Sequence, residues 1–464
     1  MTAFPRRRMR TSLNGGVLIA FVVVQAAIGL LAARDPSLAL GATIVLVGAV
    51  LSLISPLGVA VVAFPAVLAT RRLGGGGIDL SYADAVLIAS TALALPYVPW
   101  RSRALRNVLV ALAAYLVVLS ITIIVHPSVT AVVELLHRME LVGGAVVVGA
   151  AISAGGKTRI ALQLLIGACA VLAIAAVADS LSNGFEPAYP FNVNKNAAGF
   201  FLTCALLLLV VAPRQVALPR PVILPAEGLL LAGLVACQSR ASAATFVGVL
   251  FIASFRRGGS RAFVPILGTA AVVAMIWSTS QDLSDRTDNA RFNSLNTRIE
   301  SYDRSFELWK TNPIFGVGVR FFRDPTLNAS EPHNLIISSL GESGLVGTIG
   351  FVALNVAMVA QFRRRHDPLG RAALYLTIAH AVDSMAGIFW VAGTGTLPWL
   401  VIGLAVGIDH TGQGDGTEEP ARSQRAARRS TTRSWSGAGG ALSQITGHVE
   451  PASTSAVETS MSQR

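Results

Sequence analysis

Four short stretches of this sequence hold residue types suited to gripping an anion or moving a proton. Arg240 stands in Cys237-Gln238-Ser239-Arg240-Ala241-Ser242, between two apolar runs with almost no polar spacer. An arginine at membrane depth costs roughly 2.5–3.5 kcal/mol on insertion scales, so it faces a cavity or a partner, or it snorkels from a tight turn. Lys195 stands in Phe191-Asn192-Val193-Asn194-Lys195-Asn196-Ala197, a polar knot that opens an apolar run. Asparagines placed there can cap a helix and can also bind sugar hydroxyls. Arg298 begins a third stretch that continues to Pro313-x2-Gly316-x-Gly318. A glycine pair after a helix stop lets backbone approach another element or a phosphate, and it also suits a plain turn.

The fourth stretch is Pro332-His333-Asn334, at the start of a long apolar run. Asn334 can N-cap the helix that follows. His333 then stands beside the positive helix end, which favours the neutral imidazole that a general base needs. An exposed neighbour of the cap is the alternative reading. Glu331 is the competing base. Glu342 lies about 12 Å along the helix from Asn334 and is a poor direct partner for His333.

The elements that hold these residues follow from composition. Of 464 residues, 53% are hydrophobic and only 13% are charged. A soluble domain carries about 25% charged residues, so that class is excluded, and a polytopic all-α membrane protein remains. The net charge of +12 sits in short clusters between apolar runs, as topology signals do. With no basic aromatic-rich soluble module, nucleic-acid binding is not expected. Cys169, Cys204 and Cys237 lie in apolar runs without metal-ligand spacing, and no acidic cluster suits a metal ion, so neither metal nor cofactor is expected.

Apolar runs predict helices over 13–33, 37–54, 57–70, 82–98, 104–125, 139–156, 159–178, 197–212, 222–238, 241–255, 262–279, 334–361, 371–390 and 391–408, or 12–14 spans. The first is read as a retained helix, since its apolar run is too long for a signal peptide. Starting from a cytoplasmic N-terminus over 1–12, alternation puts eighteen Arg and Lys inside. Only Arg34, Arg71, Arg72, Arg138 and Lys195 fall in short outer loops. The transmembrane regions are then 13–279 and 334–408, in the cell inner or plasma membrane. Residues 280–333 form one large extracytoplasmic loop, and 409–464, rich in Ser, Thr, Gly, Ala and Arg, form a disordered cytoplasmic tail. Within the loop, Ile299, Tyr302, Phe306 and Trp309 recur at helical spacing until Asn312-Pro313 stops them. This predicts an amphipathic helix on the outer membrane surface or over a cavity mouth.

Together, over about residues 190–350, the N-x-N knot, the S-R-A turn, and a loop running from Arg through P-x-x-G-x-G to H-N-x7-E-x-G-x-x-G resemble the O-antigen ligase and O-antigen polymerase superfamily. The resemblance implies a metal-independent glycosyltransferase on the extracytoplasmic face. Its donor would be a polyprenyl pyrophosphate-linked glycan and its acceptor a hydroxyl on a glycan or lipid. Carried over, Arg240 and Arg298 would grip the pyrophosphate and His333 would be the base. This suits the chemistry: arginine forks match phosphate oxygens, a sugar hydroxyl needs a positioned base, and direct displacement inverts the anomeric centre. The alternative from another class is a membrane transporter or flippase of a lipid-linked or anionic substrate. Many helices and buried arginines fit it, but no repeated halves are visible.

Overall fold

The computed structural model describes residues 54–72, 80–255, 294–323, 331–387, 390–391 and 393–408. The expected helices 13–33 and 262–279, nearly all of 37–54, the N-terminus 1–12 and the tail 409–464 lie outside these residues. So do 280–293 and 324–330 of the expected loop.

Among the described residues the chain is helical, with one isolated β-bridge between Arg72 and Ser81. The helices are α1 (Pro56–Ala60), α2 (Ala63–Ala66), α3 (Tyr82–Ala94), α4 (Arg103–Val125), α5 (Val129–Ala154), α6 (Thr158–Ser182), α7 (Lys195–Val211), α8 (Pro213–Val216), α9 (Arg220–Cys237), α10 (Arg240–Phe255), α11 (Ser294–Thr311), α12 (Leu335–Phe362), α13 (Pro368–Asp383) and α14 (Leu397–Gly407). Five of them, α4, α5, α6, α9 and α12, are long and apolar enough to cross a membrane. The chain is an all-α polytopic membrane protein. The apolar run 57–70 is two short helices, α1 and α2, rather than one.

Side-chain capping explains six of the helix starts. Ser81, Ser102, Ser128, Asn194, Asn334 and Asp367 each accept a backbone N–H from the first turn that follows. The core lies where α5, α7, α13 and α14 meet, and α14 is buried along its whole length. Helix α5 packs most closely on α14, through Gly149 and Gly403. Small residues at such a crossing replace the hydrophobic drive that lipid removes.

One expected boundary is corrected. Residues 129–138 are not an outer loop before a helix at 139. They are the first part of α5, joined to Ala145–Ala154 by a π-turn at Met139–Gly144. Arg138, counted above as an outer-loop cation, is therefore a buried helical residue. The apolar stripe misled because this part of α5 carries Glu134, His137, Arg138 and Glu140.

Candidate active site

His333 is held from three sides. The Asn334 side chain caps α12, its Oδ1 accepting from Ile336 N at 3.0 Å and Ile337 N at 3.2 Å. Tyr302 on α11 donates its hydroxyl to the His333 carbonyl at 3.3 Å, and Ser305, one turn on, donates to the Ile337 carbonyl at 2.7 Å. Leu335 N donates to the Ser384 carbonyl just past α13, at 2.9 Å. The imidazole is half-buried. Burial pushes its pKa below the ordinary histidine value, and the nearby Arg298 guanidinium adds to this. The carboxylate and backbone of Glu331 pull the other way but do not prevail. The neutral ring expected from a helix end is thus favoured mainly by desolvation and a neighbouring cation.

Arg298 lies one turn before Tyr302 on α11. The helix expected here exists and stops at Thr311, but its buried face is not the apolar stripe. Ser301 and Ser305 are buried against α12, whereas Ile299 and Phe306 are 48% and 38% exposed. Small side chains let α11 settle on α12, and half of the stripe faces outward.

Arg240 is exposed at the first position of α10, after a tight turn in which Gln238 takes a left-handed φ of 49°. That turn is bound to the start of α7. Ser239 Oγ donates to Asn196 Oδ1 and Ser242 Oγ to the Asn196 carbonyl, each at 3.3 Å, and Ser239 Oγ bonds Ser242 Oγ at 2.9 Å. Gly199, one turn into α7, makes this approach feasible, since a Cβ there would sit 2.6 Å from the Ser239 Cβ. Asn194 caps α7, accepting from Asn196 N at 2.9 Å. Arg240 and Arg298 are both close enough for their charges to act on Lys195. Arg240, Arg298, Lys195 and His333 thus gather at one end of the helices, although residues 195 and 333 are far apart in sequence.

The glycine pair approaches another element rather than forming a free turn. Helix α12 breaks at Gly344, whose φ is 61° and ψ −161°. An unbroken helix would bond Leu345 N to Gly341 O and Val346 N to Glu342 O. Instead, the backbone of 313–318 inserts. Val317 N donates to Gly341 O at 3.0 Å and Gly318 N to Glu342 O at 2.9 Å. Leu345 N donates to Pro313 O at 3.0 Å and Val346 N to Ile314 O at 3.1 Å. All four backbone groups of these two lost bonds are thus re-paired, as a membrane helix requires.

Residues 227–352 match the family model for O-antigen ligase. The match supports assignment to the O-antigen ligase and polymerase superfamily. It spans Arg240, Arg298, His333 and both partners of the backbone exchange, and leaves Lys195 and α5 outside. No curated protein matches the chain.

The matched segment leans on a buried charge cluster that sequence reasoning missed. Arg138 Nε donates to Glu134 at 2.9 Å and its Nη1 to the Tyr115 hydroxyl at 2.8 Å, with the guanidinium 4.6 Å from the centre of the Trp390 ring. Arg320 reaches Glu134 at 3.8 Å, and His137 pairs with Asp84 at 3.1 Å. Arg323 forks onto Glu331 at 2.8 and 3.2 Å and donates to the Trp390 carbonyl at 3.1 Å. Glu331 and Glu134 hold the Arg323 pKa above the ordinary arginine value despite burial. Glu342 accepts from Phe322 N at 3.3 Å.

Two consequences follow. Glu331, the competing base, has both oxygens engaged by one guanidinium. Glu342 serves the loop backbone. Among the described residues no three His, Cys, Asp or Glu side chains gather as a metal-ligand set. The glutamates near the site instead face arginines or a backbone N–H. The signal that could have found the cluster is Glu134-x-x-His137-Arg138, charges at helical spacing within an apolar run.

Proposed function

We propose that this protein transfers a glycan from a polyprenyl pyrophosphate donor to an acceptor hydroxyl on the extracytoplasmic face, with inversion and with side chains as its only cations. O-antigen ligase-like glycan transfer is the chemistry of the matched family. The observation that carries the finer reading is the pairing of a half-buried, neutral-favoured His333 with Arg298 beside it, Arg240 sharing their end of the helices. In this reading Arg240 and Arg298 grip the pyrophosphate through bidentate forks. His333 takes the proton of the acceptor hydroxyl as its oxygen attacks the anomeric carbon. The bond from that carbon to the phosphate oxygen breaks, and its electron pair leaves with the polyprenyl pyrophosphate. The polyprenyl chain lies among the helices in the inner or plasma membrane, and the acceptor is a glycan or lipid.

The test compares His333→Ala with Glu331→Gln, using a defined lipid-linked donor and a panel of acceptors. His333→Ala is expected to lower turnover by about 10²–10⁴, the usual worth of a positioned acid–base group, with donor affinity retained. Near-normal turnover in His333→Ala beside a dead Glu331→Gln would make Glu331 the base.

A further inference from the structure

Two helices begin side by side at the site, and each brings a cation in its first turn. Hydrogen bonds from Ser239 and Ser242 to Asn196 tie the start of α7 to the start of α10. Lys195 is the first residue of α7 and Arg240 the first of α10. Lys195 is half-buried, and both Arg240 and Arg298 act on it electrostatically. Each helix start adds partial positive charge, and hydrogen bonds hold the two starts together. Like charges brought this close repel, and an anion between them reverses the sign of that interaction.

The stoichiometry of charge selects the anion's role. A diphosphate esterified at both ends carries one negative charge on each phosphate. When the sugar leaves, the terminal phosphate becomes a monoester and takes up a further charge, its second ionisation falling near pH 6. Two arginines balance the donor before the reaction. A third cation balances the charge that exists only as the bond breaks.

We propose that Lys195 is this third cation and contacts the leaving phosphate as charge develops on it. The proposal rests on the reading of Arg240 and Arg298 as the pyrophosphate grip. Lys195 then stabilises the transition state and product more than the bound donor. A compact ammonium suits this task, since it meets a single developing oxyanion without a fork.

The experiment measures donor affinity, polyprenyl pyrophosphate affinity and turnover for the full chain, Lys195→Met and Lys195→Arg. Lys195→Met is expected to lose about 10²-fold in turnover, as on loss of one oxyanion-stabilising group. Its affinity for polyprenyl pyrophosphate should fall by a similar factor and that for the glycan-linked donor by less than threefold. Lys195→Arg should recover most of both. Turnover within threefold of wild type, or equal losses of donor and product affinity, would overturn the proposal.

A second measurement needs no variant. Wild-type affinity for polyprenyl pyrophosphate, relative to the donor, should rise as pH increases through the ionisation of the terminal phosphate. A pH-independent ratio would also overturn it. Donor that fails to bind wild type at all would instead overturn the underlying reading.

Discussion

At the scale of the residue, the site is a problem of keeping one imidazole neutral beside cations. His333 has its pKa lowered by burial first and Arg298 second. A general base works in its neutral form, so activity is present above the folded-site pKa and lost as pH falls through it. Because that pKa is depressed, the acid limb of kcat/KM should lie below pH 6.5, the ordinary histidine value. In Arg298→Met the limb should move upward, toward the ordinary value, in whatever activity remains. A pH profile of both proteins checks this; an acid limb above 6.5 in the wild type would contradict the assignment. In the proposed reaction the three cations would divide the work by kind: arginine forks for the oxygens charged throughout, and the Lys195 point charge for the one that becomes charged late.

At the scale of the element, the site depends on a broken helix being repaired by a loop. The exchange between 313–318 and α12 keeps the backbone of both satisfied and places the start of α12, with His333, against α11. Gly344 is required twice: its φ of 61° is left-handed, and a Cβ would overlap the Ile314 carbonyl. Gly316 is the reciprocal case, where a Cβ would overlap the Glu342 carbonyl. Backbone strain of about 1–3 kcal/mol, from a positive φ with ψ −161° that is open essentially to glycine alone, and overpacking of about 1–3 kcal/mol act together at Gly344. Gly344→Ala is therefore expected to destabilise the protein by about 2–6 kcal/mol. Gly167→Ala, where a Cβ meets open space, should stay near wild type. Thermal unfolding in detergent distinguishes them, and equal melting temperatures would show that the exchange carries no stability.

At the scale of the whole molecule, a buried set of charges joins α5 to the loop that completes the site. Glu134 is 1% exposed and meets Arg138 and Arg320, one from its own helix and one from the loop. Such groups are costly to bury singly, so each depends on the others being in place. This couples the end that holds His333 to α5. Sidedness follows from the charge bias: the end with α11 and His333 should face outward. Glu307 and Lys310 on α11 are exposed and paired at 2.7 Å, so Glu307→Cys offers an accessible label. It should react with an impermeant thiol reagent on intact cells of the producing strain, provided any outer barrier is opened. Labelling only after the inner membrane is permeabilised would invert the topology and with it the extracytoplasmic reading.

The sequence by itself determined the class of fold, because apolar runs of this length and number admit one solution in a bilayer. It also marked Asn334 as a cap and Asn312-Pro313 as a helix stop, since each is a local matter of backbone geometry, but it left the glycine pair open between a plain turn and a close approach. Only the tertiary structure decided what the glycines approach, because hydrogen bonds from 313–318 to α12 are made between segments with no common periodicity. It alone revealed that Arg138 is buried in α5, since its partners Tyr115 and Trp390 come from remote parts of the chain. It likewise turned the serine face of α11 inward, where closeness of packing outweighed the apolar stripe. The gathering of Lys195, Arg240, Arg298 and His333 is of the same kind: residue types are written locally, but distances between them are set by how helices pack.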